Sequence, residues 1–351
     1  MLLVFLIAGT IWGIGHAMKV PHQARWLMIG LLYIVVLIEQ IALPDGHPLR
    51  EMTGQSPALW LLLGGFVAVI LGYRELLRRL RARAGTDVAL QPPRPEGPSE
   101  AELTRYARHI VLREIGGPGQ MRLRNARVLV VGAGGLGAPA LLYLAGAGVG
   151  TIGVIDGDVV DGSNLQRQVI HTDKRIGMPK VFSAQESMRA LNPFVTVRPY
   201  HRRLTEEIVA PLLADYDVVL DGTDDPETRY KLNRAAVEAG VPLVSGAISQ
   251  WEGQLSVFDP AQGAPCYRCL FPEPAAAGSA PSCAEAGVLG PLPGVIGSMM
   301  AVEAVKIVTG AGTSLRGQLL IYDALHGESR RIAISRRLDC PDCGTGLDGV
   351  A

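Results

Sequence analysis

The chain reads as an α/β protein: a doubly wound, Rossmann-like, mostly parallel sheet, preceded by three apolar helices. Three observations predict this. A glycine-rich turn, GAGGLG at residues 132–137, stands between an apolar run and a small-residue stretch. Apolar runs then alternate with helical stretches, the pattern of βαβ winding. The hydrophobic fraction is 48%, and its excess is concentrated before Tyr73. Lys and Arg balance Asp and Glu at net charge zero, so no field for nucleic acid is evident.

The N-terminal runs, residues 2–18, 26–43 and 57–73, are each near the lower length limit for crossing a bilayer. A buried helical hairpin is the alternative, but uncharged runs in tandem suit lipid better than a soluble core. Lys19 and Arg25 lie between the first two runs; Arg74, Arg78, Arg79, Arg81 and Arg83 follow the third. The positive-inside rule then gives three spans with the N-terminus outside and the domain that follows them in the cytoplasm, as a multi-pass protein of the inner membrane. The arginine cluster suits anionic lipid. The first run lacks the basic n-region of a cleaved signal peptide. Residues 1–84 are thus expected to form an anchor, the proline-rich residues 85–98 a linker, and residues 99–351 one large α/β domain.

In that domain the apolar residues 127–131 form the first strand and residues 138–148 the helix packed on it. The glycine turn between them aims bare helix N–H groups at phosphate, although such a turn can also serve helix packing alone. A second strand, 151–155, ends in Asp156, about twenty residues on, where a carboxylate can accept from ribose hydroxyls. To this point NAD and ATP fit equally. Ser163, Asn164, Leu165, Gln166, Arg167 and Gln168 decide for ATP: amides and a guanidinium suit a triphosphate tail, whereas nicotinamide wants an apolar pocket.

Lys180 and the pair Asp224–Asp225 extend the case, because Asp224 follows the apolar strand 217–220 and so falls at the carboxyl edge of the sheet. A carboxylate beside phosphates needs a cation between them, so Asp224 is expected to hold magnesium. Each alone reads as a solvated surface charge; their placement on successive sheet edges reverses that. Strands at 253–258, 317–323 and 329–334 extend the sheet. Cys266-x-x-Cys269 and Cys340-x-x-Cys343, about seventy residues apart, suit a closed tetrahedral zinc site of structural type, with redox pairs or disulfides as the alternative.

The ordered motifs GAGGLG, DGDVVDGSNLQRQVIH, GMPK, DGTDD, PLVSGA, EGQLSVF, PCYRCL, SCAEAGVLGPLPGVIGS and CPDC, from about Glu102 to Cys343, resemble the MoeB/ThiF/HesA family, adenylyltransferases related to ubiquitin-activating enzymes. The resemblance implies ATP-dependent adenylation of the C-terminal glycine of a ubiquitin-like sulfur carrier ending in Gly-Gly. It implies that Gly135 lets the backbone approach the nucleotide, that Asp156 holds the ribose, and that Asn164, Arg167 and Gln168 orient the phosphates. Lys180 then neutralises the α-phosphate, Asp224 holds magnesium, and Arg108 reaches the partner subunit's nucleotide in a homodimer. Cys283 stands where relatives can bond covalently to the carrier; a catalytic and an inert reading of it both stay open. Asp225 and His109 depart from the family's usual asparagine and glutamine. SNLQRQVIH, EGQLSVF and SCAEAGV look nearest to MoeB, hence molybdenum cofactor biosynthesis. The thiamine thiazole carrier, a scaffold without turnover and an NAD-dependent membrane oxidoreductase are the alternatives.

Overall fold

In a computed structural model the described residues are 2–18, 20–54, 56–84, 97–273 and 287–344. The chain divides into two compact units, Met1–Asp87 and Val88–Ala351.

The first unit comprises α1 (Leu2–Ala17), α2 (His22–Ala42), the short α3 (Pro48–Thr53) and α4 (Pro57–Ala84). Val4, Val36 and Trp60 form its small buried core. Polar bonds add to it: the Trp60 indole donates to Thr53 O (3.1 Å), Tyr33 to Trp60 O (2.7 Å) and Gln40 to Thr53 Oγ1 (2.7 Å). Most large apolar side chains face outward, Phe5, Trp26, Ile38, Leu62 and Phe66 among them. Only 17% of the 24–42 window and 6% of the 57–74 window is buried. Helix α4 continues past the expected end at residue 73 to Ala84, because its arginines are strong helix formers once the apolar run stops.

The second unit holds an eight-stranded sheet in the order β3-β2-β1-β4-β5-β6-β7-β8. Strands β1 (Arg127–Val131), β2 (Thr151–Ile155), β3 (Thr196–Tyr200), β4 (Val218–Asp221) and β5 (Leu243–Ile248) are parallel. Strands β6 (Glu252–Phe258), β7 (Gln318–Asp323) and β8 (Glu328–Ala333) continue it antiparallel. The sheet is therefore mixed, mostly parallel and Rossmann-like, and the strand order reverses at β1 and β4, where such sheets bind ligands.

Side chains of β1 alternate between two cores. Val128 and Val130 join Leu141, Leu144, Val181, Met188, Ile296 and Met300 on one face; Leu129 and Val131 join Val209, Leu213, Leu232 and Ala235 on the other. The first face carries α7 (Gly137–Ala147), α8 (Lys180–Leu191) and the apolar Pro291–Thr309; the second carries α9 (Glu206–Leu213) and α10 (Pro226–Ala239). Helices α5 (Glu100–Ile110) and α6 (Gly116–Asn125) precede the sheet, and α5 opens on a Ser99–Glu102 capping box. The short α11 (Tyr267–Leu270) follows β6, and Pro291–Thr309 is α12. Helix α12 is long and apolar enough to cross a membrane, yet half of it is buried, because it packs on the sheet beside α7.

That packing leaves no room for a side chain at Gly297, whose Cβ would stand 2.2 Å from Leu136 O. Gly297→Ala is expected to destabilise the second unit by about 1–3 kcal/mol, as overpacking does, read by denaturant unfolding of the full chain in detergent.

Candidate active site

The β1–α7 turn is made by backbone meeting backbone. Gly132 has φ +92°, and a Cβ there would lie 3.0 Å from Gly222 O, on the loop after β4. Gly137 opens α7 so close to Gly132 O that a Cβ would stand 1.9 Å from it. No side chain caps the α7 N-terminus at Leu136; the Ala138 N–H is taken by Gly134 O (2.9 Å) and residue 139 is a proline, so the N–H groups without a bonded partner among the described residues are those of the turn, Gly134 to Gly137.

Asp156, at the end of β2, accepts from the Ala133 N–H through Oδ2 (2.8 Å) and from the Asp158 N–H through Oδ1 (2.8 Å). It braces the glycine turn, and each oxygen keeps a lone pair for a further donor. Residues 163–168 follow in tight turns. Asp161 fixes Ser163 through its N–H (2.8 Å) and hydroxyl (2.6 Å). Those bonds hold the exposed Asp161 carboxyl below its ordinary pKa. The Leu165 N–H closes onto Gly162 O (3.3 Å). Asn164 Oδ1 accepts from Arg167 Nη2 (2.7 Å), so these two predicted residues stand together. A Cβ at Gly135 would lie 3.7 Å from Arg167 Cγ and 3.0 Å from Pro293 Cβ, which places α12 and the arginine stem over the turn. Gln166 is exposed and lies against Gly290 at the start of α12. Gln168 is 5% exposed, and its Oε1 has no partner among the described residues: a buried acceptor free for a ligand or water.

Lys180 begins α8, buried, with its ammonium 2.9 Å from Asp158 Oδ2 and its N–H bonded to Asp158 O (2.9 Å). Across the cleft, the Gly222 N–H donates to Val131 O (2.9 Å), which holds the β4 loop against the glycine turn. Asp224 lies on that loop, exposed. Asp225 is the N-cap of α10, accepting through Oδ2 from the Thr228 N–H at 2.9 Å and from its hydroxyl. Burial pushes the Asp225 pKa upward, and the Thr228 bonds outweigh it to leave the carboxyl below its usual range.

Arg108 is exposed on α5 with no bonded partner among the described residues and no contact placing it at the turn. His109 is drawn to Gln120 Oε1 (3.3 Å). Cys283 lies outside the described residues.

Several site residues carried no role in the sequence reading. Asp158 is the partner of Lys180, and His171 sits under the turn. Asp221 is 1% exposed at the end of β4, accepts from Ser245 Oγ (2.9 Å) and pairs with Arg229 (3.5 Å), so the β4 loop is anchored by a buried network. His171 and Asp221 stand inside the motifs that drew attention; nothing in their spacing foretold these partners.

At the far end of α10, Cys266, Cys269, Cys340 and Cys343 are buried with all four sulfurs within 4.8 Å of one another. The Sγ–Sγ separations are 3.8 Å for Cys266–Cys269, 3.5 Å for Cys266–Cys340 and 3.4 Å for Cys269–Cys343. Corners of a tetrahedron with ~2.3 Å bonds to a central ion lie about 3.8 Å apart, against ~2.0 Å for a disulfide. The cluster could hold a metal ion, and the cysteines are free. Burial raises the Cys343 thiol to about 11 and raises Cys266 further, which disfavours their thiolates unless a cation lies beside them, whereas backbone N–H groups of Cys343 and Asp342 outweigh burial to lower Cys340. Asn233 of α10 joins the two knuckles: its Oδ1 accepts from the Tyr267 N–H and its Nδ2 donates to Asp342 Oδ2, both at 2.8 Å.

These features define a Rossmann-like sheet with polar side chains gathered at its strand-order reversal, joined to a cysteine clip. The chain belongs to the ThiF family, whose model matches residues 106–343. It is 50% identical over 250 residues to a sulfur carrier protein adenylyltransferase of Thermus thermophilus, covering 70% of this chain and 92% of that one. It is 52% identical over 246 residues to the probable adenylyltransferase/sulfurtransferase MoeZ of Mycobacterium tuberculosis, covering 69% of this chain but only 63% of that longer protein. Among solved structures it is similar to E. coli MccB with MccA-N7isoASN: TM-score 0.62, 20% identity, 71% of this chain and 76% of that one. PaaA is also similar: TM-score 0.60, 23% identity, 85% and 90%. Both likenesses are of fold.

Asn233→Leu removes both bonds of the bridge and leaves Asp342 short of a donor in a buried setting. It is expected to lower stability by about 2–3 kcal/mol, measured by denaturant unfolding.

Proposed function

We propose that the chain adenylates the C-terminal glycine of a ubiquitin-like sulfur carrier ending in Gly-Gly, with ATP as donor. The observation that carries this is the convergence of the glycine turn, Asp156, Arg167, Lys180 and Asp224 at the carboxyl ends of β1, β2 and β4. A relative that spans nearly the same α/β unit bears the name of that activity.

The reaction joins a carboxylate oxygen to the α-phosphorus and breaks the bond to pyrophosphate. Both reactants are anions, so catalysis rests on positioning and charge neutralisation rather than on an acid or base. The N–H groups of the turn, Gly134 to Gly137, and the Gln168 amide through Nε2 donate to phosphate oxygens, Asp156 accepts from the ribose, and Arg167, held by Asn164, lies along the triphosphate. Lys180 faces the α-phosphate once its charge is shared with Asp158. Asp224 would hold a magnesium ion that offsets phosphate charge. The four cysteines would hold zinc, which closes the end of the chain onto α10 and plays no chemical part. In a homodimer Arg108 extends toward the other subunit's nucleotide.

The carrier we favour is the small subunit of molybdopterin synthase, on the nearness of SNLQRQVIH and SCAEAGV to MoeB. The thiazole sulfur carrier is the alternative, separated by loss of molybdoenzyme activity as against thiamine auxotrophy in a deletion strain. The first unit we read as a membrane anchor of the inner membrane with the catalytic unit in the cytoplasm. The support is its outward apolar surface and the low burial of the 24–42 and 57–74 windows. Helix α1, with 16 residues, spans ~24 Å, short of a ~30 Å hydrocarbon core, and crosses only where the bilayer thins.

Full-length protein is expected to catalyse carrier-dependent exchange of pyrophosphate into ATP. Arg167→Ala and Asp224→Ala should each reduce it by at least ~100-fold with unchanged thermal unfolding, and turnover at the wild-type rate in either removes the assigned role. Cys340→Ser should lose bound zinc and unfold several degrees lower, with metal content measured by elemental analysis.

A further inference from the structure

His171 is 5% exposed and makes two bonds of 2.9 Å, one from Nε2 to Ala133 O and one between Nδ1 and Ser183 Oγ. A backbone carbonyl only accepts, so Nε2 carries the proton, and Nδ1 takes the Ser183 hydroxyl proton as a neutral acceptor. In a trans peptide the carbonyl and the following N–H point to opposite sides. Fastening the Ala133 carbonyl to His171 therefore turns the Gly134 N–H away from the imidazole. The other polar group of Ala133, its N–H, is held by Asp156 at 2.8 Å. Both ends of one residue in the turn are clamped. Ser183 lies on α8 three residues after Lys180, so a single imidazole also ties the turn to the helix that begins with the lysine.

We propose that His171 is a positioning residue for ATP: its neutral Nε2–H tautomer orients the Gly134 N–H toward phosphate and joins that donor to the Lys180 helix. The inference rests on ATP being the ligand of this cleft. A packing role would be met by any side chain of similar volume; this role needs the donor.

The charges around the ring favour the neutral form. Burial is the largest influence and lowers the imidazole pKa; the Ala133 carbonyl and Asp156, from the turn and the end of β2, oppose it; Lys180 on α8 and Arg175 on the preceding turn reinforce it. The folded pKa thus lies below the unfolded one. The neutral ring's contribution is complete above about pH 6.5 and is lost as pH falls through the folded pKa.

The test is calorimetric titration of full-length protein in detergent with magnesium ATP, across pH, for wild type, His171→Gln and His171→Leu, with thermal unfolding as the check of fold. His171→Gln keeps an N–H donor and should bind ATP within about threefold of wild type; His171→Leu should bind about tenfold more weakly. Wild-type affinity should hold at about pH 6.5 and fall only as pH drops through the lower folded pKa of the ring, and His171→Gln should not share that fall. ATP binding by His171→Leu at wild-type affinity overturns the proposal, as does equal loss in the Gln and Leu variants. If His171→Leu does not fold, Ser183→Ala takes its place: it frees the tautomer and should weaken ATP about threefold, and unchanged affinity overturns the proposal. Failure of the wild type itself to bind ATP overturns the reading of the cleft and this inference together.

Discussion

The catalytic unit depends on backbone meeting backbone where β1 turns into α7. A Cβ at Gly137 would stand 1.9 Å from Gly132 O, and one at Gly132 would stand 3.0 Å from Gly222 O. With no side chains between them, the β1 turn, the start of α7 and the β4 loop close into one rim at the strand-order reversal. That rim carries the N–H groups of Gly134 to Gly137, which have no bonded partner among the described residues. Asp156 and His171 keep the shape by gripping Ala133 from both sides.

Helix α10 links that rim to the cysteine clip. Its N-cap, Asp225, directly follows Asp224; Arg229 pairs in the buried Asp221–Ser245 network; Asn233 bridges the knuckles; and Val237 packs on the cysteines. A closed site at one end of the helix and an open cleft at the other share one rigid element.

Much of this was legible in the sequence. The glycine turn, the second-strand aspartate and the paired Cys-x-x-Cys motifs have geometries set by a few residues, and apolar runs placed six strands to within a residue, while β3 and β5 were not foreseen. Side-chain partners were not legible. Asp224 and Asp225 are identical in sequence terms; only the start of α10 makes the second a helix cap, bonded to Thr228. His171 stood in a quoted motif, but its role needs the knowledge that Ala133, 38 positions away, folds to within 2.9 Å. Composition alone also does not part α12 from α2 and α4. All three are apolar enough to cross a membrane, and the difference is that α12 is notched by Gly297 to lie on Leu136.

The central claim is that this cleft makes an acyl-adenylate on a carrier's terminal glycine. Intact-mass spectrometry of a Gly-Gly carrier, after incubation with the full-length protein, ATP and magnesium, tests it directly, with hydroxylamine added to trap the activated carboxyl. The account predicts a carrier bearing AMP, converted to the hydroxamate by the trap. A carrier recovered unmodified under both conditions, from protein that binds ATP, would contradict it.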